Sequence, residues 1–134
     1  MPGPARAGLF VYAKDAERVA RFYEAVAGMV RLHRSEELIV LQSPDIQLLV
    51  HRIPPAIAAG IEIETPPRRR EDSALKFFFT VASLADARAS AARLGGAVFE
   101  ENWRGPGFVV CNAIDPEGNV FQVREPDGST SSAS

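Results

Sequence analysis

Few side chains in this sequence could act on a bound molecule, and their types narrow the chemistry further. The chain has one cysteine, Cys111, and two histidines, His33 and His51. His51 is the sharpest candidate for proton transfer, because imidazole titrates near neutrality. The plainer use of the same ring is a hydrogen bond to a loop at a strand end. His33 lies close to Arg31 and Arg34 and reads as a surface side chain. Cys111 falls in an apolar, strand-like stretch, where a lone thiol is a buried, reduced core residue rather than a nucleophile. Lys76 and Arg124 could each meet an anionic or carbonyl group, although Lys76 could equally pair with Glu100 or Glu125.

Several chemistries lack their signatures. There is no glycine-rich nucleotide loop, no Cys-x-x-Cys pair and no Gly-x-Ser-x-Gly elbow. With 15 Lys and Arg against 17 Asp and Glu, and a net charge of −2, no basic face with interleaved aromatics arises, so nucleic acid is not an expected partner. The first residues lack an apolar leader, and no run approaches the ~20 apolar residues that span a bilayer. A single cysteine excludes an internal disulfide framework, and these features together imply a soluble, cytoplasmic protein.

The elements that must position these side chains are readable from periodicity. At 134 residues the chain fits one domain, residues 1–128, with a disordered tail at 129–134. Residues 8–13 are rich in strand formers and lead to Asp15, a helix N-cap type. Val19, Phe22, Tyr23 and Val26 then recur at i, i+3, i+4 and i+7, and Gly28 ends the helix. Strands follow at 29–33, 38–42 and 46–52, a β-α-β-β-β order. The same order returns with a strand at 76–81 and Ser83 as cap. Leu84, Ala87, Ala91 and Leu94 form the inward stripe, and strands follow at 97–101, 108–113 and 119–124. Asp115-Pro116-Glu117-Gly118 suits a type I turn.

Laying Gly8 on Lys76 carries Asp15 onto Ser83 and Gly28 onto Gly96, a constant offset of 68 residues, so the chain looks internally duplicated. Module one covers 7–52 and module two 74–126. Between them, residues 53–73 carry Pro54-Pro55, Pro66-Pro67 and the run Arg68-Arg69-Arg70-Glu71-Asp72, which opposes regular structure. The arginine run reads as a solvated loop, with an anion site as the other meaning.

Two motifs carry a resemblance. Asp15, Phe22, Tyr23 and Gly28 resemble the first-helix signature Asp-x-x-x-Ser-x-x-Phe-Tyr-x-x-x-Leu-Gly of the vicinal-oxygen-chelate superfamily, the glyoxalase, bleomycin-resistance and extradiol dioxygenase proteins. Val19 and Ala27 depart from it. Asp115-Pro116-Glu117-Gly118-Asn119 with Gln122 resembles that superfamily's closing Asp-Pro-Asp-Gly-Asn-x-x-Glu-Leu hairpin, and the likeness spans nearly all of residues 8 to 125. The resemblance implies an α+β fold of two paired βαβββ modules, forming a curved mixed sheet around a cavity, and a homodimer.

Enzymes of that superfamily hold one divalent metal with residues on the first and last strands of each module. The resemblance puts those positions at Gly8, Gln47, Lys76 and Gln122, none of which is His, Asp, Glu or Cys. Glycine offers no donor, an amide oxygen is a weak ligand, and neutralising a lysine from ~10.4 at pH 7 costs about 4.6 kcal/mol. No metal and no other cofactor is expected.

If those positions face the cavity, strand alternation adds Phe10, Tyr12, Leu49, His51, Phe78, Thr80 and Arg124 to the same surface. Such a lining suits a small organic molecule with a flat apolar body and an anionic or carbonyl end. Trp103 with Arg104, before Gly105-Pro106-Gly107, could form a lid over the mouth or a packed aromatic shielding the core. Three functions follow. One is metal-independent binding of a small organic molecule, as in the bleomycin-resistance branch. The second is a glyoxalase-like lyase, isomerase or other small-substrate enzyme, with His51 shuttling a proton and Lys76 or Arg124 steadying an oxyanion. The third is a structural or partner-binding module whose cavity is filled by Phe77 to Phe79.

Overall fold

The computed structural model describes residues 5–127, so the expected tail lies outside the described residues. Strand β1 (Gly8–Ala13) leads into helix α1 (Ala16–Ala27), which is followed by β2 (Val30–Arg34), β3 (Leu38–Gln42) and β4 (Gln47–Arg52). After a short helix α2 (Pro55–Ala58) the pattern repeats as β5 (Phe78–Thr80), α3 (Leu84–Arg93), β6 (Ala97–Gly105), β7 (Phe108–Ile114) and β8 (Val120–Pro126). The fold is α+β, with two four-stranded mixed sheets, ordered β1-β4-β3-β2 and β5-β8-β7-β6. In each, the first strand runs parallel to the last and the remaining pairs are antiparallel. The two sheets are not closed into one.

Local chemistry explains the helices. The Asp15 carboxylate accepts from the Arg18 amide at 3.1 Å, and the Ser83 hydroxyl accepts from the Asp86 amide at 3.1 Å, each satisfying a first-turn N–H that has no helical partner. α1 stops where Gly28 turns left-handed. Its apolar stripe, Val19, Phe22, Tyr23 and Val26, is buried, as are Ala87 and Ala91 of α3, and the two helices pack on each other.

One apolar cluster draws on both modules. Phe22 and Tyr23 of α1 meet Phe121 of β8 with ring centroids 5.9 and 5.3 Å apart, and Phe77 and Phe79 close the group against the same ring. Each ring so buried contributes about 1.5–3 kcal/mol by area alone, and the edge-on pairings add to that. Cys111 lies in this cluster as a free, buried thiol, and His33 is exposed.

Most strand ends shift by one or two residues, and three segments differ more from the sequence reading. The strand expected at 76–81 is only Phe78–Thr80, so Lys76 precedes it. β6 runs on to Gly105 and pairs with β7 down to Gly105 opposite Phe108, because a two-residue turn at Pro106-Gly107 lets a hairpin form. The segment 53–73 is also more ordered than its prolines suggest. Pro55 starts α2, where a missing N–H costs nothing, and the Arg70 amide and Nε donate to the Gly118 and Glu117 carbonyls at 2.9 and 3.0 Å.

Candidate functional site

Each sheet buries one face and leaves the other open. Val11, Ala13, Leu48 and Val50 in module one, and Phe79, Phe121 and Val123 in module two, are buried in the core. The alternate residues therefore point the other way. In module one, Gly8, Phe10 and Tyr12 stand beside Gln47, Leu49 and His51. In module two, Phe78 and Thr80 stand beside Gln122 and Arg124, with Asn112 and Val110 next in register, Val110 being covered by its neighbours on that face. Four large aromatics on these faces keep substantial exposure: Phe10 54%, Tyr12 58%, Phe78 51% and Trp103 40%.

The register corrects one placement. Gly8 is opposite Gln47, and the Gln47 amide donates to the carbonyl one residue before Gly8, that of Ala7. In module two the residue opposite Gln122 is Phe78, and the Gln122 amide donates to Phe77. The structural equivalent of Gly8 is thus Phe78, an offset of 70 residues on the strands, while the caps Asp15 and Ser83 keep 68. Module two has two fewer residues between strand and helix, which the constant offset concealed. Lys76 sits two residues upstream of the strand, where its Nζ donates to the Asn112 Oδ1 at 3.2 Å rather than pairing with Glu100 or Glu125. It borders a cleft of about 240 Å³ shared with Arg69, Phe99 and Val120.

These side chains do not fit a divalent cation. A hydrogen atom, two neutral amides and either a phenyl ring or an ammonium group make a poor donor set. Among the described residues no cluster of three or more His, Cys, Asp or Glu is arranged to hold a metal.

What the faces do present is aromatic. In module one the rings of Phe10 and Tyr12 lie 6.1 Å apart, and Tyr12 and His51 5.6 Å apart, forming a short ladder. His51 Nδ1 is 2.9 Å from the Arg52 carbonyl. A carbonyl only accepts, so this contact assigns the neutral ring's proton to Nδ1 and leaves Nε2 with its lone pair. In module two the Arg124 guanidinium carbon lies 3.7 Å from the Phe78 ring centroid and 4.2 Å from that of Phe108. Phe108 was not among the residues singled out in the sequence. Pairing the 108–113 strand with the last one would have shown it, because Phe108 and Arg124 share the open face two register positions apart.

Trp103 is the other correction. It stands within β6 opposite Val110, flanked by regular pairing, and is not on a lid loop. Arg104 forms an ion pair with Asp127. No hydrogen bond or ring contact joins the His51 group of module one to the Arg124 group of module two among the described residues. A more voluminous cleft, about 660 Å³, lies elsewhere. It is lined by linker residues such as Glu62 and by the run Arg68 to Asp72, and contains none of the side chains expected on the sheet faces.

The closing-hairpin motif is structural. Asp115 is fully buried, and its carboxylate accepts from the Tyr23 hydroxyl, the Asn119 side chain and the amides of Glu117 and Asn119, at 2.8 to 3.0 Å. Burial pushes this carboxyl up from its ordinary range while those four donors pull the other way, and burial also raises the Tyr23 phenol well above its usual value. Glu117, 4% exposed, accepts from the Lys14 amide at 2.8 Å and the Asp15 amide at 2.7 Å, holding the entry to α1.

Two sheets of βαβββ origin, each with its helix on one face and an open aromatic face on the other, define the class. Residues 8–124 match the glyoxalase-like domain family, and the chain belongs to that family. Solved structures with the same fold include a glyoxalase/bleomycin resistance protein/dioxygenase family enzyme from Burkholderia phytofirmans PsJN, at 14% identity, TM-score 0.66, covering 92% of this chain and 100% of that one. A lactoylglutathione lyase from Agrobacterium tumefaciens aligns at 23% identity and TM-score 0.58, covering 92% and 95%. The fosfomycin resistance protein FosX from Mesorhizobium loti aligns at 14% identity and TM-score 0.61, covering 96% and 97%. No curated protein matches the chain in sequence.

Proposed function

We propose that this glyoxalase-like domain binds a small organic molecule on the open faces of its sheets without a divalent metal. The observation that carries the reading is a substitution of chemistry at one place. The strand positions that hold a cation in the resembling enzymes carry Gly8, Gln47, Phe78 or Lys76, and Gln122, while Phe10, Tyr12, Phe78 and Trp103 stand 40–58% exposed on the faces those strands present. Exposed rings grouped on an open sheet face favour a flat apolar guest. In this reading a second copy completes the enclosure as a homodimer, neither nucleic acid nor membrane is a partner, and the free Cys111 suits the reducing cytoplasm. No described helix is long and apolar enough to cross a membrane.

The test is native mass spectrometry of protein purified without added metal. The expected spectrum is a dimer carrying a co-purified organic adduct or none. A stoichiometric metal ion that resists exchange would overturn the reading.

A second reading, proton-transfer catalysis, is favoured by the His51 contact, which leaves Nε2 as a base beside Tyr12. With a substrate from the adduct in hand, His51→Ala should abolish turnover with little change in binding; an unchanged rate removes His51 from the chemistry. A purely structural module fits less well. Phe77 and Phe79 pack against the Tyr23 core, and Phe78 leaves the open face unfilled.

A further inference from the structure

The geometry points to Arg124 as an anion-recognition site, so that the organic guest carries a carboxylate or a similar oxyanion; this rests on the small-molecule reading above. Arg124 projects from β8 on the open face, and its guanidinium is held between the faces of Phe78 and Phe108 at 3.7 and 4.2 Å. Two rings fix the plane of the fork, which removes much of the ordering a flexible arginine undergoes on binding. No hydrogen bond or ion pair to protein engages the guanidinium among the described residues. Its Nε is buried without any partner, whereas the two terminal nitrogens are not buried in this way.

Contrast with the other cations sharpens the choice. Arg31 is bound by Glu17 and Glu24, Arg104 by Asp127, and Arg88 by the carbonyls of Val98 and Phe99. Lys76 donates to Asn112. Arg124 is instead oriented by two rings that neutralise none of its charge in full, beside Thr80 and Gln122, which can donate to a second oxygen. A planar fork with free terminal N–H groups matches a carboxylate in bidentate geometry, and the flanking rings with Trp103 offer contact to an aromatic body. A neutral carbonyl compound would leave the cation only partly answered.

The test titrates ¹⁵N-labelled full-length protein with three aryl carboxylates, benzoate, 2-naphthoate and indole-3-acetate, each against its primary amide. Chemical shifts of the β5, β7 and β8 amides are followed. The expected result is acid bound at least about tenfold tighter than amide, with the preference lost in Arg124→Gln and Arg124→Lys weaker than wild type, since lysine keeps the charge without the fork. Arg93→Gln makes the same charge change on exposed α3 and should keep the preference. Two variants at position 124 guard against one failing to fold. Equal binding of acid and amide, or an acid preference surviving in Arg124→Gln, overturns the anion site while leaving small-molecule binding intact. If neither acids nor amides perturb the open face, the anion site and the small-molecule reading fall together.

Discussion

The Tyr23 hydroxyl donates to the Asp115 carboxylate across 2.8 Å, joining two residues 92 positions apart in the chain. This bond links the first-helix motif to the closing-hairpin motif, and Glu117 two residues on adds a second link to the amides at the entry of α1. The most recognisable stretches of the sequence therefore hold one module to the other. The open faces, where the proposed ligand sits, are built from less distinctive residues.

Tyr23→Phe keeps the ring among Phe77, Phe79 and Phe121 and removes only the donor. One acceptor site of a buried carboxylate is then left unanswered, with an expected loss of about 1–3 kcal/mol in urea unfolding. A loss well under about 0.5 kcal/mol would mean that water replaces the hydroxyl.

Glu117→Ala strands the Lys14 and Asp15 amides next to the start of α1. The expected cost is about 2–4 kcal/mol, and hydrogen exchange at those two amides should speed up at least tenfold relative to mid-helix sites. Uniform acceleration along the whole chain would instead signal global destabilisation alone.

Glu17 gives an acid-side pH dependence. Hydrogen bonds from Arg31, at 2.9 Å through both terminal nitrogens, outweigh partial burial and, with Arg34, hold its carboxyl down at about 2. A depressed carboxyl stabilises the fold above its unfolded value and loses that contribution as pH falls toward 2. Because solvent screens the pair, the contribution is on the order of 1 kcal/mol. Between pH 5 and 2 the urea midpoint of Glu17→Gln should fall less steeply than wild type, and parallel curves would dismiss the network.

Two glycines with positive φ should respond differently to alanine. At Gly118, with φ 86, an added Cβ would stand 1.9 Å from the Arg68 carbonyl oxygen, whereas at Gly28, with φ 67, it would meet nothing within 4 Å. Gly118→Ala should cost at least about 2 kcal/mol, from strain plus displacement of the linker, and Gly28→Ala about 1 kcal/mol. Thermal unfolding of the two variants side by side checks the ordering.

Much of the fold was legible because it is written in local periodicity. Val19, Phe22, Tyr23 and Val26 repeat at helical spacing, Asp15 and Ser83 cap as their side chains allow, and alternation along 8–13 and 47–52 sorted Phe10, Tyr12, Gln47, Leu49 and His51 onto one face. Pairing distance was less legible. The two residues missing between β5 and α3 shift Lys76 out of register and bring Phe78 opposite Gln122, and no periodic signal records a deletion in the short connection after a three-residue strand. The length of β6, and with it the position of Trp103, depended on its partner β7.

The sequence by itself determined the repeated βαβββ order and the apolar stripes, since these follow from residue type and spacing. Only the tertiary structure decided that Asp115 and Glu117 are buried struts, and that Arg124 lies between Phe78 and Phe108 with, among the described residues, no hydrogen bond or ion pair to its side chain. A charged residue in a turn or strand reads as solvated until its neighbours are known. Those neighbours come from strands and a helix distant in sequence, so their contacts exist only once the sheets pair and the modules pack.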